Sequence, residues 1–164
     1  MKIKIRETNL EDFEVIYEAF THVLEEGKTY SYTLEEMTPE RALAYWISAP
    51  GTHGFVAECK GEIAGFFAVR PNRTGRAKHV ANASFIVHHG HRKKGIGRKM
   101  GKHALKVARK LGYKAIQYNF VVSTNAVAVN LWQSLGFAIV GTLPKGYKHA
   151  TEGMVDVYIM HRFL

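Results

Sequence analysis

At 164 residues, with 46% hydrophobic and 23% charged side chains, the chain reads as one globular domain, residues 1–164, large enough to bury a core. A single cysteine, Cys59, excludes an intrachain disulfide framework and a multi-cysteine metal site. The net charge of +9 is unevenly spread, because residues 1–62 hold 12 acids against 6 bases and residues 63–164 hold 2 acids against 17 bases. Residues 91–114 alone carry 10 bases and no acid, so an anionic ligand is expected there.

KIKIRE (Lys2–Glu7) alternates as a strand does and then turns acidic, with no apolar signal segment. No run approaches the roughly 18 apolar residues of a membrane helix. The expectation is a cytoplasmic protein with no membrane partner. Thr8 or Asn9 caps a helix over 10–25 that carries Phe13, Ile16, Tyr17 and Phe20 on one face. Pro39 opens a second helix reaching Ile47, and residues 53–60 and 62–72 flank Gly61 as a hairpin. Residues 76–89 read as a long strand, 95–111 as a helix stopped by Gly112, and 114–122 as a strand. A short helix follows from Asn125 and ends at Gly136, and residues 137–143 and 154–164 close the chain as strands. The order β-α-α-β-β-β-α-β-α-β-β implies a mixed α/β sheet with helices on both faces.

The run HHGHRKKGIGRKMGKH (His88–His103) follows a strand and opens a helix, which is the setting of a phosphate cradle. It is not a nucleotide P-loop, since Ile96-Gly97 stands where Lys-Ser/Thr would be required. Gly95, Gly97 and Gly101 are spaced one residue too far for the dinucleotide fingerprint, and no acid lies in residues 112–122. His79, His88, His89, His91 and His103 have no carboxylate or cysteine beside them, so no metal is expected. Lys102, Lys106, Arg109 and Lys110 lie further down the helix and read as a solvated face.

Arg92-x-x-Gly95-x-Gly97, followed by Asn125-Ala-Val-Ala-Val-Asn-Leu-Trp132-Gln-Ser-Leu-Gly136-Phe137, resembles the two signature segments of the GCN5-related N-acetyltransferase superfamily. The resemblance covers nearly the whole chain. It implies a mostly antiparallel sheet of six to seven strands, splayed between strands 4 and 5. It also implies acetyl-CoA as co-substrate and a small-molecule amine as acceptor. The pyrophosphate is then expected on Arg92, Lys93, Lys94, Gly95, Ile96, Gly97 and Arg98. Pantetheine is expected along Phe85 and Val87, with Asn125 close by, and the Val87 N–H is expected to act as oxyanion donor. Tyr30 and Tyr32 are expected in the acceptor pocket.

Two positions depart from the family pattern. No acid lies between Arg76 and His89, and Trp132 stands where a tyrosine acid is usual. Asn82 and Asn119, polar residues in apolar strands, are the candidates to position the acceptor; otherwise they satisfy each other or the strand backbone. Asparagines on both strands are similar to a branch that acetylates proline-like imino acids. A protein or peptide acceptor is the alternative within the same chemistry, and a nucleic-acid-binding module using the basic helix is the alternative outside it. The basic helix has few interleaved aromatics, so no nucleic-acid partner is expected. Self-association into a homodimer is left open.

Overall fold

A computed structural model of the chain describes residues 2–164. Its seven strands are β1 (Ile3–Glu7), β2 (His53–Cys59), β3 (Glu62–Pro71), β4 (Val80–Val87), β5 (Ala115–Val122), β6 (Ala138–His149) and β7 (Gly153–Phe163). Its helices are α1 (Phe13–Glu26), α2 (Pro39–Leu43, continued by a π turn to Ser48), α3 (Ile96–Lys110) and α4 (Ala126–Ser134). The strands form one sheet in the order β1-β2-β3-β4-β5-β7-β6. Every neighbouring pair is antiparallel except β4 with β5.

The parallel pair holds together only where Val80 meets Ala115 and Ala81 meets Ile116. Beyond these residues the two strands part, so the expected splay is present in the pairing itself. A bulge between Tyr118 and Val121 bends β5 where the gap opens.

The sheet separates two cores. Residues Ala81, Ala83, Phe85 and Val87 of β4 face α3 and α4, with Ile96, Met100, Ala104, Trp132 and Leu135. Ile86 faces the opposite way, toward Ile16, Phe20, Ala42 and Trp46 of α1 and the α2 segment. The strand period of two therefore puts Asn82 and Ser84 on the α1/α2 side. By the same alternation Gln117 and Asn119 lie on that side too, because Ile116 and Tyr118 pack with α3 and α4. Helices α3 and α4 approach closely at Gly101, where a Cβ would meet Leu135 Cδ1 at 2.6 Å.

The sequence reading differs from the structure in two stretches. The strand expected from Arg76 begins at Val80, because Gly75–Ala77 forms a 3₁₀ turn and Gly75 takes φ +62°. Strand β6 runs on past Leu143 to His149, through Pro144. It is an edge strand, and its register shifts between Leu143 and Tyr147, so a proline there removes no ladder bond.

Entry into α1 is fixed by a charged lock. Asn9 and Asp12 form a capping box, with Asn9 N–H donating to Asp12 Oδ2 at 2.9 Å and Asp12 N–H donating to Asn9 Oδ1 at 3.2 Å. Arg6 donates to both Asp12 oxygens at 2.8 and 2.9 Å and to Glu58 at 2.7 Å. These hydrogen bonds from Arg6 hold the Asp12 carboxyl below its ordinary value despite its burial. A lowered carboxyl adds stability above its unfolded value, and that stability is lost as pH falls through the folded value. Asp12→Asn is expected to cost about 2 kcal/mol at neutral pH, and the deficit relative to the parent is expected to shrink below about pH 4. Urea unfolding across pH checks both statements.

Candidate active site

The gap between β4 and β5 exposes backbone. Along an antiparallel strand successive N–H groups point to alternate sides. His88 N–H donates to Ala64 O of β3 at 3.0 Å. The N–H groups of Val87, Phe85 and Ala83 consequently point the other way, into the gap. Asn82 Oδ1 accepts the Ala83 N–H at 2.8 Å. Tyr30, from the α1–α2 loop, donates its hydroxyl to Phe85 O at 3.1 Å. Burial pushes the Tyr30 phenol well above its ordinary value, so it carries its proton at neutral pH. Phe85 and Val87 N–H have no strand partner, since β4 pairs with β5 only at residues 80 and 81. A ligand lying along this edge would find two free donors and one carbonyl held by an exchangeable hydroxyl.

The loop at the open end of the gap is built for an anion. His88 Nδ1 accepts the Gly90 N–H at 3.3 Å and so tightens the turn. Burial, helped by His89 and His91, holds the His88 imidazole below its ordinary value, consistent with this acceptor role. Lys93 and Gly95 are both left-handed, at φ +63° and +74°, and curl the chain into α3. Gly95 is the N-cap and offers no side chain to the first-turn N–H groups. The first helical bond runs from Lys99 N–H to Gly95 O at 3.2 Å, which leaves Ile96, Gly97 and Arg98 N–H open at the positive end of the helix. Gly97 packs against α4 and β4, where a Cβ would stand 3.2 Å from Leu131 Cδ2 and 3.8 Å from Val87 Cγ2. The residues present thus fit a pyrophosphate on the loop and an extended chain along β4.

The side chains around this loop divide by role. Arg92 is committed to Glu26 of α1 through two bonds of 2.8 Å, which lower the Glu26 carboxyl and tie the loop to α1. Lys94 Nζ donates to Gly90 O at 3.0 Å, and Arg98 donates to Ser134 Oγ of α4 at 2.7 Å. Lys93 and Lys99 make no hydrogen bond or ion pair among the described residues and are exposed cations of the loop. Lys102, Lys106, Arg109 and Lys110 are all exposed on the outer side of α3.

On the α1/α2 face, polar groups gather where the strands part. Continuing the β4–β5 register brings Asn82 level with Gln117 and Ser84 level with Asn119. Asn119 donates to Asn72 Oδ1 at 2.6 Å and accepts from Gln117 Nε2 at 2.9 Å. Asn82 and Asn119 do not bond each other among the described residues. Ser84 is buried and lies 2.6 Å from the Tyr45 hydroxyl. Arg70 of β3 donates to Ser84 Oγ at 2.9 Å and to Tyr45 O at 2.6 Å, with its guanidinium 4.3 Å from the Tyr45 ring centre. Tyr32 meets Tyr45 edge-on at 5.8 Å. Tyr147 of β6 donates to Tyr30 O at 3.0 Å, so the β6–β7 hairpin braces the same loop.

Asn82, Phe85, Val87, Asn119 and Tyr30 thus gather around the parted strands. Asn125 caps α4 by accepting the Ala128 N–H at 3.3 Å. Trp132 is buried between Phe85 and Tyr118, at ring distances of 4.7 and 4.8 Å. It fills core space in the α3/α4 layer. Arg70, Ser84, Tyr45 and Asn72 were not foreseen, although Arg70 and Ser84 carry the same signal as the asparagines, a polar side chain inside an apolar strand. A depression of about 560 Å³ is lined by Arg6, Asp12, Glu58, Glu62, His88 and His91, on the β1/β2 side of the same loop. Arg6 is paired with Asp12 and Glu58, and His91 Nε2 stands 3.4 Å from Glu62 Oε2. No group of three or more His, Cys, Asp or Glu among the described residues is placed to hold a metal ion. No helix among them is long and apolar enough to cross a membrane.

Comparison with known proteins gives a consistent result. The model of the acetyltransferase (GNAT) family matches residues 14–137. The chain is 29% identical to N-acetyltransferase aca1 of Schizosaccharomyces pombe, over 94% of this chain and 83% of that protein. It is 27% identical to phosphinothricin N-acetyltransferase of Streptomyces viridochromogenes, over 98% of this chain and 87% of that protein. A solved structure of a GCN5-related N-acetyltransferase from Kribbella flavida superposes with a TM-score of 0.94 at 39% identity, covering 99% of this chain and 98% of the other.

Proposed function

The chain belongs to the acetyltransferase (GNAT) family, and from that premise we propose that it transfers the acetyl group of acetyl-CoA to the amine of a small, amino-acid-like molecule by direct attack in a ternary complex. The single observation that carries the reading is the parted β4–β5 pair, with free donors at Phe85 and Val87 beside a polar cluster on the α1/α2 face. A relative named for acetylating phosphinothricin supports a small acceptor.

Acetyl-CoA supplies an activated acyl group as a thioester. The N–H groups of Ile96, Gly97 and Arg98 hold its pyrophosphate, and Lys93 and Lys99 add attraction at longer range. Phe85 and Val87 pair with the pantetheine arm as a neighbouring strand would. The Val87 N–H then lies against the thioester oxygen and stabilises the negative charge that develops there. The acceptor approaches from the α1/α2 face, between the walls formed by Tyr30 and Tyr32. Asn82 and Asn119 accept hydrogen bonds from its amine and hold the nitrogen lone pair toward the carbonyl carbon. No carboxylate lies between Arg76 and His89, so the amine loses any ammonium proton to water before it attacks; as the C–S bond then breaks, the proton shed by the nitrogen passes through water to the departing thiolate, which leaves as the free thiol.

The test is an acceptor screen that reads free thiol release from acetyl-CoA over amino acids, imino acids, polyamines, aminoglycosides and peptides. A small amine is expected to give turnover. Asn82→Ala and Asn119→Ala are each expected to lower kcat/KM for that acceptor by about 10- to 100-fold while sparing acetyl-CoA affinity. Turnover of peptides alone would overturn the small-acceptor reading. Equal losses for both substrates would assign the asparagines to packing.

A further inference from the structure

Resting on the small-acceptor reading above, we propose that Arg70 is the anchor for a carboxylate on the acceptor, so that the substrate class is amino or imino acids with a free carboxylate. The register of β3 with β4 sets Arg70 opposite Asn82. Its guanidinium is fixed in place from three directions, by Ser84 Oγ, by Tyr45 O and by the Tyr45 ring. These contacts use two of its five N–H donors and neutralise none of its charge.

A partly buried cation normally carries a counter-charge, because removing it from water without one is costly. Here there is none. Arg70 makes no ion pair among the described residues, whereas Arg6 and the more exposed Arg92 each hold a carboxylate at 2.7–2.8 Å; Arg162, the other partly buried arginine, donates to Leu135 O instead. The sequence explains the difference, since no Asp or Glu occurs between Glu62 and Glu152, so β3, β4 and β5 supply no acid beyond Glu62. Glu36, on the opposing α1–α2 connection, is exposed and engaged with Thr33 N–H at 2.9 Å. A counter-charge for Arg70 can therefore come only from outside the chain. A planar carboxylate matches the unused edge of a guanidinium, which binds such groups through paired hydrogen bonds. Ser84 joins Arg70 to the same strand as Asn82, two residues apart on one face. One small molecule can thus place its carboxylate at Arg70 and its amine at the asparagines. A polyamine or an amino amide would put a cation or a neutral group where the structure provides an unpaired positive charge.

The experiment uses the purified full chain with saturating acetyl-CoA and a panel of L-amino acids and cyclic imino acids, each matched with its carboxamide, plus spermidine. Thiol release is followed for the parent, Arg70→Met and Arg70→Lys, and calorimetry with acetyl-CoA reports that each variant is folded. The parent is expected to prefer free acids over their amides by about 30-fold or more in kcat/KM. Arg70→Met is expected to collapse that ratio through the acceptor KM, and Arg70→Lys to restore part of it. A merely structural arginine would change acid and amide alike. Parent turnover of amides or spermidine as good as that of acids, or an acid-to-amide ratio unmoved by Arg70→Met, would overturn the anchor and leave the small-acceptor reading standing. Acetyl-CoA binding with no thiol release on any panel member would overturn both.

Discussion

Val87→Pro is expected to lower kcat by about 10²- to 10³-fold, which is about 2.7–4 kcal/mol of lost stabilisation for one oxyanion donor. Proline deletes the backbone N–H and nothing else of comparable polarity. The position makes the change informative. The ladder bond to β3 at this level comes from His88, whose N–H donates to Ala64 O at 3.0 Å. The Val87 N–H points into the gap instead, so its loss leaves the sheet paired. The variant is therefore expected to melt within a few degrees of the parent and to turn over far more slowly at saturating substrate. Single-turnover kinetics separate this from a binding defect. A kcat within threefold of the parent would mean that another donor faces the reacting carbonyl.

Gly97→Trp is expected to weaken acetyl-CoA binding by at least about 100-fold, or about 2.7 kcal/mol. Gly97 sits in the first turn of α3, and even a Cβ there stands 3.2 Å from Leu131 Cδ2. An indole has no room toward α4 and β4 and must project over the open N–H groups proposed to hold the pyrophosphate. Gly97→Ala supplies the graded control: Leu131 has to yield only a few tenths of an ångström, and affinity is expected to fall by about threefold to tenfold. Calorimetry measures both, and thermal melts show whether the Trp variant remains folded. Unchanged affinity in a folded Gly97→Trp variant would remove the pyrophosphate from this loop.

The sequence made the element order legible because hydrophobic periodicity switches cleanly between two and 3.6 along this chain. It also marked the turn into α3 as the candidate phosphate loop, since glycine spacing, basic charge and a following helix coincide at Arg92–Gly97. The partners of that loop were hidden. The Arg92–Glu26 pair joins residues 66 apart in the chain, and nothing local to either residue marks it. Arg70 was masked differently. EIAGFFAVRP reads as an apolar strand with a basic end, and only the register against β4 shows that its last cation faces Ser84 and Asn82. The strand expected to end at Leu143 runs on through Pro144 and Gly146, because an edge strand absorbs both at its register shift.

Trp132 shows how a departure from a family pattern is interpreted once its neighbours are known. It stacks within a group of rings, Phe85, Tyr118 and Phe137, that supports β4 from beneath. What looked like a missing acid is a packing residue that keeps the strand carrying Phe85 and Val87 in place. The proton inventory of the site is correspondingly short.

The sheet also has a consequence for how the enzyme tolerates change. The α3/α4 layer and the α1/α2 layer are packed on opposite faces and share the strands between them. They are also joined by the Arg92–Glu26 pair and by the Tyr30 hydroxyl on Phe85 O. On the proposed reading, side-chain changes away from these links combine additively with changes on the donor side, so acceptor preference can drift at Tyr45 and Arg70 while acetyl-CoA binding stays fixed. Changes at the links themselves are expected to move both.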